Sequence, residues 1–230
     1  MASTRFPGKP LVDLLGKPML QWVFEAAVKS GVADRIVVAT PDDEILRACR
    51  SFGAEAMQTR IDHPSGTDRI GEVSETVESD FYINVQGDEP LIAPETIRAC
   101  AQPLSDDLDI QMASVYSACS NQEIENPAVV KVVTDRDGFA LYFSRHAIPF
   151  PRNPRTEPVK KHVGIYAYRR DALRAFATWP VTPLERTESL EQLRFLENGV
   201  RIKMSEGAAS IVAVDTPEQA DEVRRILASA

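Results

Sequence analysis

An α/β fold on a mostly parallel sheet is what this sequence predicts, and three observations predict it. Amphipathic helical stretches alternate with short apolar runs through the first hundred residues. Polar loops follow the runs ending at Thr40 and Gln86, at the carboxyl ends of strands, where such sheets bind ligands. From about residue 108 the pattern changes to strand-like runs with polar and Gly breaks, which reads as an antiparallel insertion.

The elements follow in order. Ser3 to Leu11 holds a Pro-Gly turn flanked by Arg5 and Lys9. Gly8 permits backbone conformations that set consecutive N–H groups on one side of a loop. Two cations beside such a loop suit a polyphosphate, although the pattern G-x-x-x-x-G-K-[ST] is absent. Pro18 to Ser30 predicts a helix with Met19, Val23, Ala26 and Ala27 on one stripe. Arg35–Thr40 predicts a buried strand, and Asp42–Phe52 a helix stopped at Gly53. Ala54–Thr59 is a weaker strand, and Thr67–Val77 a helix capped by Ser65 or Thr67. Phe81–Gln86 has the composition of a central strand, and Pro94 opens a helix that includes Cys100.

In the middle, Ile110–Ala118, Ala128–Asp135 and Phe139–Arg145 predict strands, with Asp137-Gly138 as a hairpin turn. Arg152–Lys161 is a Pro-rich basic loop. Asp171–Thr178 and Leu184–Asn198 predict helices, Ser210–Val214 a strand, and Thr216 onward a helix with Pro217 in its first turn.

The bulk numbers narrow the classes. A chain of 230 residues, 43% hydrophobic, buries a full core as a single domain, 1–230. Its net charge of -8 argues against nucleic acid as a partner, so an anionic ligand must be met by a local cluster of Arg and Lys. Cys49, Cys100 and Cys119 have neither metal spacing nor the pattern of a disulfide framework. No apolar run reaches the roughly 18 residues of a membrane span, and no signal peptide opens the chain. The expectation is a cytoplasmic protein with reduced thiols and no membrane partner.

Several constellations carry chemistry. Val85–Pro90 (VQGDEP) sets a carboxylate after a strand on a Gly turn. Asp88 there is placed to hold Mg²⁺, which takes one or two protein carboxylates plus phosphate oxygens and water; a solvated turn or an N-cap is the alternative. Val214–Glu218 (VDTPE) repeats the arrangement, so Asp215 is an N-cap, a second metal ligand, or both. Asp62–Arg69 (DHPSGTDR) offers Ser65, Gly66 and Arg69 to a base edge or an acidic substrate, or is simply a capped turn. Arg145 suits bidentate capture of a carboxylate, and His162 and the nearby tyrosines suit a sugar acid, against the reading of His162 as structural. His63 and His146 read as structural. Glu185, Glu188 and Gln192 fall on one face of a single predicted helix, either a solvated stripe or a grip on a polyhydroxylated ligand.

Seven segments together carry a resemblance: STRFPGKPL, HPSGTDR, VQGDEP, LYFSR, HVGIYAY, LEQLR and VDTPE, in that order. The chain resembles the 3-deoxy-manno-octulosonate cytidylyltransferase (CMP-Kdo synthetase) family over essentially its whole length. The resemblance implies a Rossmann-like nucleotidyltransferase sandwich whose insertion, about 108–170, carries sugar and homodimer contacts. It implies the reaction CTP plus 3-deoxy-D-manno-octulosonate (Kdo) to CMP-Kdo plus pyrophosphate, with Mg²⁺ as cofactor, in lipopolysaccharide biosynthesis. By resemblance, Ser3, Arg5 and Lys9 form the phosphate loop, and Ser65 and Gly66 the cytosine side. Asp88 and Asp215 are the metal ligands. Arg69, Gln86, Arg145, His162, Tyr166, Glu188 and Gln192 are the sugar-acid contacts. Arg5, Lys9, Asp88 and Asp215 carry the catalytic charge. Family members begin with an apolar strand and an Ala-Arg pair before the Ser-Thr-Arg segment; both are missing here, so the sheet is expected to lack its first strand. A related sugar acid such as the 8-amino analogue, or a truncated non-catalytic ligand-binding subunit, are the other readings.

Overall fold

The computed structural model describes residues 6–208 and 212–229. The chain after Lys9–Leu11, a short 3-10 turn, forms a tight hairpin of β1 (Asp13–Leu14) and β2 (Lys17–Pro18). Then follow α1 (Met19–Ser30), β3 (Val37–Thr40), α2 (Asp43–Ser51), β4 (Glu55–Gln58), α3 (Gly66–Thr76), β5 (Phe81–Val85) and α4 (Pro94–Asp106). The middle supplies β6 (Met112–Ala118), α5 (Asn121–Ile124), β7 (Lys131–Thr134), β8 (Ala140–Ser144) and β9 (Lys160–Arg169). The chain continues through α6 (Arg170–Thr178), α7 (Pro183–Glu188), α8 (Gln192–Glu197), β10 (Ile202–Glu206) and α9 (Pro217–Ser229).

This is a mixed α/β fold, as the alternation predicts. The chain divides into two compact units. The first joins Met1–Val77, Val85–Arg98 and Ser210–Ala230; the second joins Glu78–Asn84 and Ala99–Ala209, and contains the whole of 108–170.

In the first unit, β3 and β4 pair in parallel, with Val37 opposite Glu55 and Thr40 opposite Gln58. Parallel neighbours need a crossover, and α2 provides it, stopping at Phe52 before Gly53 at φ 75°. Leu20, Ile45, Cys49 and Ala54 are buried together against Phe24, Val38 and Phe52. A second cluster of Leu14, Met19, Val214, Ala220 and Val223 packs α9 with the hairpin and α1. Met19 and Val23 are buried, as the helical stripe requires.

In the second unit the sheet order is β10-β6-β9-β7-β8, and β5 also pairs with β9. β10 runs parallel to β6, whereas β6–β9, β7–β9 and β7–β8 are antiparallel. Gly138, at φ 78°, turns β7 into β8 as Asp137-Gly138 predicts. β6 lies between two neighbours and is buried along nearly its whole length. Rings stack from Tyr166 to Tyr168 to Phe195 to Phe176, with successive centroids 5.8, 5.5 and 4.7 Å apart.

Three sequence expectations need correction. The helix expected over Leu184–Asn198 is two helices, because Ser189 caps α7 in the left-handed region at φ 52°. The expected strand Ser210–Val214 is not formed by Val212–Val214, and its remainder lies outside the described residues. β10, not foreseen, takes a place in the second unit's sheet, with Ile202 and Met204 on its buried face. Cys49 and Cys100 are buried, Cys119 is half-buried, and all three are free thiols. No helix among the described residues is long and apolar enough to cross a membrane.

Candidate functional site

The first unit gathers Lys9, Asp88 and Asp215, residues up to 206 positions apart, around one point. Gly8, at φ 74°, turns the chain so that Lys9 opens the 3-10 turn; Leu11 N–H closes it on Gly8 O at 2.9 Å. Asp88 sits in the turn after β5, where Glu89 N–H donates to Gln86 O. Val214 N–H donates to Asp88 O at 2.9 Å and so holds the two aspartate loops together. Gln219, one turn into α9, accepts from Asp215 N–H at 2.7 Å and Thr216 N–H at 3.0 Å. These bonds satisfy otherwise orphaned N–H groups at the helix start.

Lys9 Nζ donates to Asp88 Oδ2 at 2.8 Å and to Asp215 Oδ1 at 3.1 Å. Burial alone lowers the Lys9 pKa, but the two carboxylates outweigh it and raise the value overall. Lys9 is therefore an ammonium at neutral pH. Two hard carboxylates converging on one cation are the donor set that Mg²⁺ accepts, provided phosphate and water oxygens complete its shell. No group of three or more His, Cys, Asp or Glu residues able to hold a metal exists among the described residues, so the pair would depend on those added oxygens. Ser3 and Arg5 lie outside the described residues.

Ser65 N-caps α3, accepting from Asp68 N–H at 3.2 Å and donating its hydroxyl to Asp68 Oδ2 at 2.6 Å. Gly66 is the first residue of that helix. Arg69 is tied back to the chain after β4, donating to Thr59 Oγ1 and to Arg60 O at 2.9 Å. Gln86 is half-buried and makes no side-chain hydrogen bond among the described residues.

The second unit brings together Arg145, His162, Tyr166, Glu188 and Gln192. Glu188 ends α7 and accepts from Ser144 Oγ at 2.6 Å and Arg145 N–H at 2.9 Å. Burial raises its pKa, but these donors and the nearby guanidinium bring it below the usual glutamate value. The Arg145 guanidinium donates to three backbone carbonyls: Glu188 O at 2.8 Å, Pro127 O at 3.1 Å and Ser189 O at 3.3 Å. That leaves two of its five N–H groups for a ligand. Tyr166 Oη donates to Gln192 Oε1 at 3.2 Å, and the Gln192 amide nitrogen is buried without a partner among the described residues. The His162 ring lies 5.2 Å from the Tyr166 ring and 5.1 Å from that of Phe143. Burial pushes the His162 pKa down to about 3.

Glu185 is not part of this group. It forms a buried ion pair with Arg194, Oε2 to Nε at 2.7 Å, and so pins α7 to α8. The left-handed Ser189 is what moves Glu188 and Gln192 off a common helix. Two residues of this group were not singled out from sequence, Ser114 and Lys131. Both are buried polar residues within predicted strands, and buried polar groups need partners.

A family model described as Cytidylyltransferase matches residues 1–202. The chain belongs to the cytidylyltransferase family. Among curated cytidylyltransferases it is 49% identical over 227 residues to the 3-deoxy-manno-octulosonate cytidylyltransferase of Syntrophotalea carbinolica, covering 94% of this chain and 91% of that one. It is 47% identical to the enzyme of that name from Escherichia coli, over 98% of this chain and 92% of the relative. A solved structure of CMP:2-keto-3-deoxy-manno-octonic acid synthetase complexed with CTP superposes with a TM-score of 0.96. It is 46% identical and covers 99% of this chain and 95% of its own. A 4-diphosphocytidyl-2C-methyl-D-erythritol synthase from Anaerococcus prevotii shares the fold at a TM-score of 0.65 and 13% identity.

Proposed function

We propose that this chain transfers the cytidylyl group from CTP to Kdo, giving CMP-Kdo and pyrophosphate. The observation that carries the reading is the Lys9 ammonium shared by Asp88 and Asp215, in a chain that matches Kdo cytidylyltransferases over more than nine-tenths of its length. The anomeric hydroxyl of Kdo attacks the α-phosphorus of CTP, the bond to the β-phosphate oxygen breaks, and the hydroxyl proton passes to solvent. Little covalent chemistry falls to the protein; its work is positioning and electrostatic stabilisation.

Lys9 exchanges its carboxylate contacts for triphosphate oxygens and stabilises the leaving pyrophosphate, with Arg5 as its expected companion. Asp88 and Asp215 would then hold Mg²⁺, which when bound neutralises phosphate charge and lowers the pKa of the attacking hydroxyl. Ser65 and Gly66, at the N-terminus of α3, serve the nucleotide. Arg69 and Gln86, and in the second unit Arg145, His162, Tyr166, Glu188 and Gln192, serve the sugar acid. The reading carries with it a homodimer, a cytoplasmic location and a role in lipopolysaccharide biosynthesis.

The test is pyrophosphate release from CTP with Kdo and Mg²⁺. Wild-type protein is expected to turn over, and Asp88→Ala to lose turnover while keeping its fold. A wild-type chain inert with Kdo overturns the function. An Asp88→Ala variant working at near wild-type rate overturns the metal assignment.

A further inference from the structure

The hydrogen-bond chain around His162 fixes where its ring proton lies. Ser114 is fully buried on β6, in the run next to β9. Its hydroxyl is 2.7 Å from Ile165 O and 2.9 Å from His162 Nε2. A carbonyl oxygen has no proton, so the single Ser114 proton is spent on Ile165. The contact to His162 is then a hydrogen bond only if Nε2 carries a proton and donates it. The ring's other nitrogen, Nδ1, has no hydrogen-bond partner among the described residues. The ring is wedged between Phe143 and Tyr166, which keeps it from swinging away from Ser114.

We infer that Ser114 is a positioning residue that holds His162 as the neutral Nε2–H tautomer and so presents Nδ1 as a hydrogen-bond acceptor to the sugar acid. The inference rests on the sugar-acid reading of this site for its ligand, though not for its tautomer. The chemical class follows. A neutral acceptor takes a hydroxyl or an N–H of the substrate and turns away its carboxylate, which must find its partner elsewhere. Beyond Tyr166, the unpartnered Gln192 amide nitrogen is a donor. His162 Nδ1 and the Gln192 amide thus form an acceptor and a donor, the complement of hydroxyl groups, and leave the carboxylate to the two uncommitted Arg145 N–H groups. Burial, which holds the ring neutral across the physiological range, agrees with this.

The test begins with the wild-type full chain carrying ¹⁵N-labelled histidine. Long-range ¹H–¹⁵N spectra at about pH 7 report which ring nitrogen is protonated, with His162 assigned by its loss in His162→Asn. A protonated Nε2 with a bare Nδ1 is expected; a protonated Nδ1 overturns the proposal, whatever the substrate proves to be. Ser114→Ala is expected to abolish the single-tautomer signature and to raise KM for Kdo about fivefold to tenfold, the worth of one hydrogen bond, with kcat changed by less than about twofold. A Ser114→Ala protein with the wild-type tautomer and KM overturns the positioning role. Loss of all turnover with Kdo in the wild type instead overturns the proposed function and leaves the tautomer to the spectrum.

Discussion

Replacing Lys131 by Met is the substitution whose cost the structure lets one work out bond by bond. Lys131 is fully buried on β7, and its ammonium donates to Asn126 O at 3.0 Å, Val129 O at 2.7 Å and Arg145 O. Met keeps the length and most of the volume, so the cavity contribution is small. Asn126 O keeps a partner, because Val129 N–H also donates to it at 3.1 Å. Val129 O and Arg145 O have no other hydrogen bond among the described residues. Two half-buried carbonyls that lose a charge-assisted bond at about 1–2 kcal/mol each give a loss of about 2–4 kcal/mol. Part of this is offset because the ammonium no longer has to be desolvated, which is also what lowers the Lys131 pKa. Urea unfolding, followed through Trp179 in a Trp22→Phe background, reads the second unit. A loss below about 1 kcal/mol would refute the reasoning. The same variant frees the Arg145 carbonyl beside the cluster proposed for the sugar acid, so on that proposal KM for Kdo should rise while KM for CTP holds.

Two further outcomes follow from the site. Lys9→Ala should raise KM for CTP by about tenfold to a hundredfold, the worth of a charge-assisted bond, and KM for Kdo much less; equal effects in steady-state kinetics contradict the phosphate role. Glu188→Gln should cost about 1–2 kcal/mol at neutral pH by weakening the grip on Ser144 and Arg145. Because the folded-state pKa of Glu188 lies below its ordinary value, its stabilisation is complete above the ordinary glutamate range, about 4.3, and fades as pH falls through the lowered value. Unfolding curves of wild type and variant should therefore converge in acid, and a gap that persists unchanged below that range contradicts the assignment.

Much of the architecture was legible because its signals are local. The buried stripe of α1, the apolar run of β3, the Gly after α2 and the Asp137-Gly138 turn each specify their element within a few residues. The break between α7 and α8 was not legible, since Ser189, at φ 52°, is neither Gly nor Pro and carries no local signal of a left-handed cap. β10 was missed because Ile202–Glu206 shows only one short alternation, with Ile202 and Met204 inward, and its partner β6 lies some ninety positions away. Within the site, Asp88 and Asp215 were readable as carboxylates behind apolar runs. Their meeting at Lys9 was not, because no local pattern encodes a contact across 206 positions. Arg145 was read as a free clamp for a carboxylate, whereas three of its donors are committed to backbone carbonyls. Such commitments depend on the path of the loops at 127 and 189, which sequence periodicity does not describe.

The first unit is stitched from three stretches of chain, the last of them Ser210–Ala230, while Ala99–Ala209 of the second unit is one continuous stretch. A ribosome delivers these stretches in order. The second unit's sheet has every strand in hand before Asp215 and α9 have been made. The Lys9–Asp215 bond and the Val214–Asp88 clasp close only after residues 214 and 215 have been made. Assembly of the charged centre therefore waits on a stretch of chain made after every strand of the second unit's sheet, so Lys9, Asp88 and Asp215 are the last of these groups to meet.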